Sequence, residues 1–217
     1  MRHIQLAIDG PAGSGKSTIA KILAKRLGIT YLDSGAMYRI VTLEVLERKI
    51  DFESRPAIEA LLDELVIEFD KDKIYANSKD VTLQIREPRI NENVSKIAAM
   101  GFIRIDMVKR QQDIAGELSI VMEGRDIGTK VLPNATDKVF LTASIHERAV
   151  RRHKESLEKG FTMTLEEIEA DIARRDKIDS EREESPLIQA DDAVLVDTTG
   201  KSIDEVVEEI LQLVKGK

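Results

Sequence analysis

The nine residues Gly10-Pro11-Ala12-Gly13-Ser14-Gly15-Lys16-Ser17-Thr18 constrain this chain more than any other stretch. They fit G-x-x-x-x-G-K-[ST], the pattern of a phosphate-binding loop, with Gly10, Gly15, Lys16 and Ser17 at the fixed positions. Glycine lets successive backbone N–H groups turn inward as an anion nest with no Cβ in the way. A helix behind the loop adds its positive N-terminal end. Lys16 then has the reach for the β- and γ-phosphates of a nucleotide, and the Ser17 hydroxyl can ligate Mg²⁺. The same string can arise by chance in a glycine-rich turn, but its flanks argue against that here. Ile4-Gln5-Leu6-Ala7-Ile8 reads as a buried strand, and Ser17 to Leu27 reads as an amphipathic helix closed by Gly28.

A chain of 217 residues can bury a full core as one domain with a small insertion. Its 33 Lys and Arg against 40 Asp and Glu give a net charge of −7, which argues against nucleic acid as a partner and leaves any anion site to local arginine clusters. Without cysteine there is no disulfide, no thiolate metal site and no cysteine nucleophile. The first residues run straight into a core strand rather than a signal peptide. No apolar run approaches the roughly 20 residues of a membrane span. The expectation is a soluble, cytoplasmic protein with no membrane partner, monomeric by default.

Short apolar runs alternate with helical patterns along the chain. Ile29 to Leu32 reads as a second strand ending in Asp33-Ser34-Gly35, followed by a helix from about Ala36 to Lys49. Pro56 suits the first turn of a helix carrying Ile58, Leu61 and Leu62. Val66–Phe69, Lys73–Tyr75 and Val81–Ile85 then read as β-like runs, separated by polar turns at Asp70-Lys71-Asp72 and Asn77-Ser78-Lys79-Asp80. Helical character returns from Ile90 to about Ala115, interrupted near Gly101. Ser119–Met122 reads as the third buried strand, Lys138–Ala143 as the fourth and Ala193–Asp197 as the fifth. Between the last two lie a basic helix from His146 to Lys159 and another from Leu165 to about Ile178, and Ile203–Val214 closes the chain. Five apolar strands alternating with helices imply an α/β fold, a parallel sheet covered on both faces. Right-handed crossovers put the strand C-termini on one edge, where ligands bind in such sheets. The phosphate loop, Asp33-Ser34 and Arg125-Asp126 all follow strands, so they fall on that edge.

With these residues lined up, the chain resembles the bacterial cytidylate kinases of the nucleoside monophosphate kinase family over essentially its whole length. The carriers are Gly10 to Thr18, Leu32-Asp33-Ser34-Gly35-Ala36-Met37-Tyr38-Arg39, Glu123-Gly124-Arg125-Asp126-Ile127-Gly128-Thr129, and Arg175-Asp176 with Asp179, Arg182 and Ser185-Pro186-Leu187. The resemblance implies transfer of the γ-phosphoryl of ATP-Mg²⁺ to CMP or dCMP and a role in pyrimidine metabolism. It implies a P-loop fold of strand order 2-3-1-4-5 spanning 1–217, a monophosphate-binding insert at 57–95 and a lid at 147–180. Arg39, Arg125 and Arg182 are implied at the acceptor phosphate, where arginine supplies permanent charge and a bidentate fork. Arg175 and Asp179 are implied at its sugar and phosphate end. Lys16, Arg125, Arg175 and Arg182 are the implied catalytic cations. Ser17, with Asp33 through water, is implied to hold Mg²⁺.

Cytosine offers a donor amine beside ring acceptors. By resemblance Asp126 accepts from the amine, Ser95 and Arg104 donate to the ring, and Ser34 lies nearby. Uracil would turn a carbonyl toward Asp126 and leave buried polar groups unpaired. On local pattern alone Ser95 and Arg104 are unremarkable helix-surface residues. Arg148, Arg151 and Arg152 of the basic helix are readable either as lid cations, Arg151 among the ATP contacts, or as a solvated face with Glu147 and Glu155 as helical partners. His3, His146 and His153 have no metal-ligand spacing. Two other functions share the phosphate loop. A GTPase-type switch would need a guanine-reading N-K-x-D, which the chain lacks. A kinase for shikimate, gluconate or dephospho-coenzyme A would have no use for the β-rich insert.

Overall fold

The computed structural model describes residues 3–70, 73–158 and 162–215. The chain runs through β1 (Gln5–Asp9), α1 (Lys16–Leu27), β2 (Thr30–Asp33), α2 (Ser34–Glu47) and α3 (Arg55–Glu64). Three short strands follow, β3 (Ile67–Asp70), β4 (Lys73–Ala76) and β5 (Lys79–Asp80), then a 3₁₀ turn at Gln84–Arg86. Helices α4 (Pro88–Ala99) and α5 (Gly101–Ala115) lead to β6 (Ile120–Gly124), a π-helical turn at Ile127–Val131 and β7 (Asp137–Thr142). Helices α6 (Ile145–Glu158) and α7 (Leu165–Glu181), strand β8 (Val194–Asp197) and helix α8 (Ile203–Lys215) complete it. Two compact units result, Met1–Asp33 with Gln112–Lys217, and Ser34–Gln111.

The first unit is built on a five-stranded sheet of order β2-β6-β1-β7-β8, every pairing parallel. Counting only this sheet's strands in chain order, that is 2-3-1-4-5. Side chains alternate across a strand. On one face Leu6, Ile8, Val121, Val139 and Leu141 pack with Ile19 and Leu23 of α1 and with Val207 and Ile210 of α8. On the other, Ala7, Ile120 and Met122 are also buried, so the central strands are apolar along their length. Leu23 sits fully buried in this layer, and Leu23→Ala is expected to cost about 2–5 kcal/mol in urea denaturation through the cavity it leaves. The register sets Asp9 beside Gly124 and Asp33 beside Glu123. The sheet therefore ends in three carboxylates on the edge where the phosphate loop leaves β1.

In the second unit α2 packs against α4, and Arg110 of α5 donates to the Leu62 and Leu65 carbonyls at the end of α3. The small sheet, order β3-β4-β5, corrects the expected run Val81–Ile85. The third strand is Lys79–Asp80, inside the stretch read as a turn. Asn77 and Ser78 both take positive φ, 48° and 66°, which makes them the two-residue hairpin loop. Asp80 then accepts from the Thr82 N–H and hydroxyl, which turns the chain away from the ladder. Val81 and Ile85 are buried four residues apart at helical spacing, while Leu83 is 84 % exposed. Helix α2 starts two residues earlier than expected, at Ser34, and α7 runs on to Glu181. Asp179 is thus helical and Arg182 caps the helix. Lys71 and Asp72 of the expected turn, and Lys159 at the expected end of the basic helix, lie outside the described residues.

Candidate active site

The site is built from the residues that follow β1, β2 and β6. Gly10 leaves β1 with φ +149°, and a Cβ there would lie 2.1 Å from the Leu141 carbonyl oxygen, so only glycine can begin the loop. Gly15 caps α1 in the left-handed region at φ 88°, turning the loop so that the helix starts at Lys16. Lys16 is buried and its Nζ donates to the Pro11 carbonyl at 2.8 Å. Burial, with the Arg125 charge beside it, brings the Lys16 amine down to about 7, against the pull of Glu123, Asp9 and Asp179. A buried amine so close to losing its charge is stabilised by an arriving polyanion.

Glu123 is the last residue but one of β6, and Asp33 ends β2. Burial, then the neighbouring Asp33 charge, pushes the Glu123 carboxyl up, while Lys16, a hydrogen bond from Ser17 and one from Tyr31 draw it down. The Tyr31 hydroxyl donates to Glu123 Oε1 at 2.7 Å. A hydroxyl and two crowded carboxylates at the mouth of a phosphate loop are an all-oxygen donor set of the kind Mg²⁺ takes, with nucleotide oxygens and water completing it. The residues fit the ion.

Three arginines gather beside the loop. Arg125 Nε donates to Asp179 Oδ2 at 2.9 Å, and Arg182 lies 3.5 Å from Asp179 Oδ1 and 3.9 Å from Asp126 Oδ1. Arg182 Nε also donates to the Ser185 carbonyl at 2.6 Å. Although burial favours its neutral form, the Arg125 and Arg182 guanidinia hold the Asp179 carboxyl below the usual range. Arg175, 7 % exposed, leaves its Nε buried without a hydrogen-bond partner among the described residues. Burial, then repulsion from Arg125 and Arg152, lowers it to about 10. Asp179 and Asp171 offset part of that repulsion through space.

Asp9 is the third buried carboxylate of this edge. It accepts from the Ile127 N–H at 2.8 Å and the Gly128 N–H at 2.7 Å. Burial raises its carboxyl to about 6 against those two bonds. Because the folded-state value lies above the ordinary aspartate value of 3.8, the native state binds the proton more tightly, and ionisation removes stability as pH rises from 4 through 6. The shift corresponds to about 3 kcal/mol. Asp9→Asn is thus expected to gain in unfolding free energy relative to the parent between pH 4 and 7, by up to that amount, in paired urea titrations.

Helix α6 lies against the loop through two of its arginines. Arg148 donates to the Ala143 and Ala12 carbonyls at 3.0 and 2.9 Å and to both oxygens of Asp176 at 3.1 and 2.6 Å. It braces α6 and α7 to the phosphate loop, rather than standing as a loose lid cation. Arg151 donates to the Thr198 hydroxyl and carbonyl and to Glu147, while Arg152 pairs with Asp171 at 3.1 Å. Arg151 comes within 4.0 Å of where a Cβ on Gly15 would be. The Glu155 side chain lies outside the described residues.

The second unit holds the remaining sequence-derived residues. Ser34 opens α2 and is buried, and Arg39 on the same helix hydrogen-bonds Asn91 of α4. Ser95 and Arg104 are not surface residues as local pattern suggested: both are buried, Arg104 to 2 % exposure. Arg104 donates to the Ala98 carbonyl at 3.0 Å and stacks 5.2 Å from the Tyr38 ring centroid.

Against known proteins, the family model for cytidylate kinase matches residues 6–216. The chain belongs to the cytidylate kinase family. It is 48 % identical over 219 residues to the cytidylate kinase of Bacillus cereus (strain ATCC 10987 / NRS 248), covering 99 % of this chain and 97 % of that one. The cytidylate kinase of Bacillus thuringiensis (strain Al Hakam) matches at the same identity and coverage. Among solved structures, an uncharacterized protein from Eubacterium ventriosum superposes over 100 % of both chains with TM-score 0.57 at 16 % identity, a likeness of fold alone. Within this cytidylate kinase-family chain, sequence reasoning missed Glu123, Asp9 and the bracing role of Arg148. The first two were visible as acidic residues ending otherwise apolar strands, Ile120-Val121-Met122-Glu123 and Leu6-Ala7-Ile8-Asp9. Among the described residues no helix is long and apolar enough to cross a membrane, and no cluster of three or more His, Cys, Asp or Glu is arranged to hold a metal ion.

Proposed function

We propose that this member of the cytidylate kinase family transfers the γ-phosphoryl of ATP to CMP or dCMP, giving ADP and CDP or dCDP. The observation that carries this reading is the gathering of half-buried Arg125 with buried Arg175 and Arg182 beside the phosphate loop, where Arg175 Nε has no hydrogen-bond partner among the described residues. A monophosphate acceptor is a dianion driven against a triphosphate, and fixed cations in a site shielded from water offset that repulsion.

The loop residues Gly10 to Thr18 cradle the triphosphate through backbone N–H groups, and Lys16 spans its β- and γ-oxygens. Arg151 serves the ATP side. Ser17, with Asp33 and Glu123, would hold Mg²⁺, which would supply positive charge to neutralise the phosphate oxygens. Arg125 and Arg182 grip the acceptor phosphate with Arg39, while Arg175 and Asp179 serve its sugar end. Asp126 accepts from the cytosine amine, with Ser34, Ser95 and Arg104 as further base contacts. Transfer breaks the bond from the γ-phosphorus to its bridging oxygen and forms one to an acceptor phosphate oxygen, so no covalent enzyme intermediate is needed. Residues 57–95 act as the monophosphate-binding insert and 147–180 as the lid, and the enzyme works as a monomer.

The direct test is ³¹P NMR of the protein with ATP, Mg²⁺ and CMP. Equal growth of ADP and CDP resonances supports the reading. Growth of inorganic phosphate at the same rate with and without CMP would contradict it.

A further inference from the structure

Asp9 is assigned above to neither nucleotide, yet it is the last residue of β1 and stands next to Gly10. Its carboxylate is buried, and the two amides it accepts from belong to Ile127 and Gly128, which open the π-helical turn directly behind Asp126. One side chain thus joins the root of the phosphate loop to the root of the Arg125-Asp126 turn. We propose that Asp9 is a positioning residue for the acceptor. By clamping the Ile127 and Gly128 amides, it sets Arg125 and Asp126 against the phosphate loop and so governs CMP affinity and base selection. The proposal rests on the role given to Asp126 under Proposed function.

Geometry and energetics support it together. The bonds of 2.8 and 2.7 Å take one amide on each carboxylate oxygen, an arrangement that a side chain with a single acceptor cannot reproduce. Among the charges that act on Asp9, Lys16 favours the ionised carboxylate through space and Asp126 opposes it. A buried carboxylate held chiefly by two amides weighs against the fold, and costs of this kind are characteristic of positions that function requires. The turn is also fitted to it. A Cβ on Gly128 would fall 3.4 Å from Asp9 Oδ2, an ordinary contact, and 3.2 Å from Lys138 Cδ, so the turn packs closely on both side chains.

The test compares the parent enzyme with Asp9→Asn and Gly128→Ala by steady-state kinetics with CMP, UMP and ATP, and by thermal melts at pH 8. Asn preserves volume but turns an NH₂ toward one of the two N–H donors. We expect its KM for CMP to rise about tenfold, the scale of one lost charge-assisted hydrogen bond. Its preference for CMP over UMP should fall with it, its KM for ATP stay within about twofold, and its melting midpoint stay level or rise. Gly128→Ala keeps the Asp9 charge and crowds the turn against Lys138 Cδ, so a weaker form of the same kinetic signature is expected from the opposite side of the contact. Parental KM for CMP and parental selectivity in Asp9→Asn would overturn the proposal. So would parallel losses for ATP and CMP, which place Asp9 in the phosphate loop's own architecture. A parent enzyme that uses UMP as readily as CMP would remove the role of Asp126, and the Asp9 proposal then stands or falls on the KM for CMP.

Discussion

Replacing Lys16 by methionine is expected to lower kcat by about 10²–10³-fold, the usual cost of removing one preorganised donor from a charge-developing centre. Methionine keeps most of the unbranched stem and the packing of a side chain that is only 6 % exposed. What it removes is the ammonium, which burial and Arg125 have already brought down to about 7. A bound triphosphate favours the charged form, and the attraction strengthens as the γ-phosphoryl loosens from its bridging oxygen. The loss should therefore fall on kcat, with the KM for CMP nearly unchanged because the acceptor cations stay in place. A stopped assay of ADP formation at saturating CMP, beside a thermal melt to confirm the fold, measures it. Unchanged kcat would remove Lys16 from the chemistry.

Asp126→Asn is expected to collapse the preference for CMP over UMP by about 10–100-fold in kcat/KM. Asp126 is 3 % exposed and ionised carboxylates only accept, so it suits the cytosine amine and opposes a uracil carbonyl. Asparagine has the same volume and can turn a donor toward that carbonyl. It is a better probe than alanine, which would open a cavity beside Arg182, 3.9 Å from Asp126. The measurement is kcat/KM for CMP and UMP in parent and variant. A preserved ratio would show that another group reads the base.

The sequence was most legible where function demands a fixed spacing of residue types. Gly10, Gly15, Lys16 and Ser17 announced the loop, and the runs following each strand announced the edge on which Asp33, Arg125 and Asp126 lie. Parallel strands buried on both faces also read plainly, because β1 and β6 are apolar nearly throughout. Legibility failed where tertiary packing overrides local pattern. Ser95 and Arg104 sit in helical stretches that look solvated, yet both are buried, Arg104 against the Tyr38 ring and the Ala98 carbonyl. Val81–Ile85 has apolar residues at both strand and helix spacing, and the Asp80–Thr82 hydrogen bonds settle the outcome. Asp179 and Arg182 stood out only through the resemblance, because their partners, Arg125 for Asp179 and Asp126 for Arg182, lie over fifty residues away in the chain. Glu123 and Asp9 stood out as acidic residues after apolar runs, but only the sheet placed them beside Lys16.

One measurement tests the central claim most directly: the rate of ADP release from ATP-Mg²⁺ with CMP, dCMP, UMP, AMP, GMP or no acceptor, side by side. Fast release is expected with CMP and dCMP, little with UMP, AMP or GMP, and near silence without an acceptor. Release that is the same with every monophosphate and with none would contradict the claim.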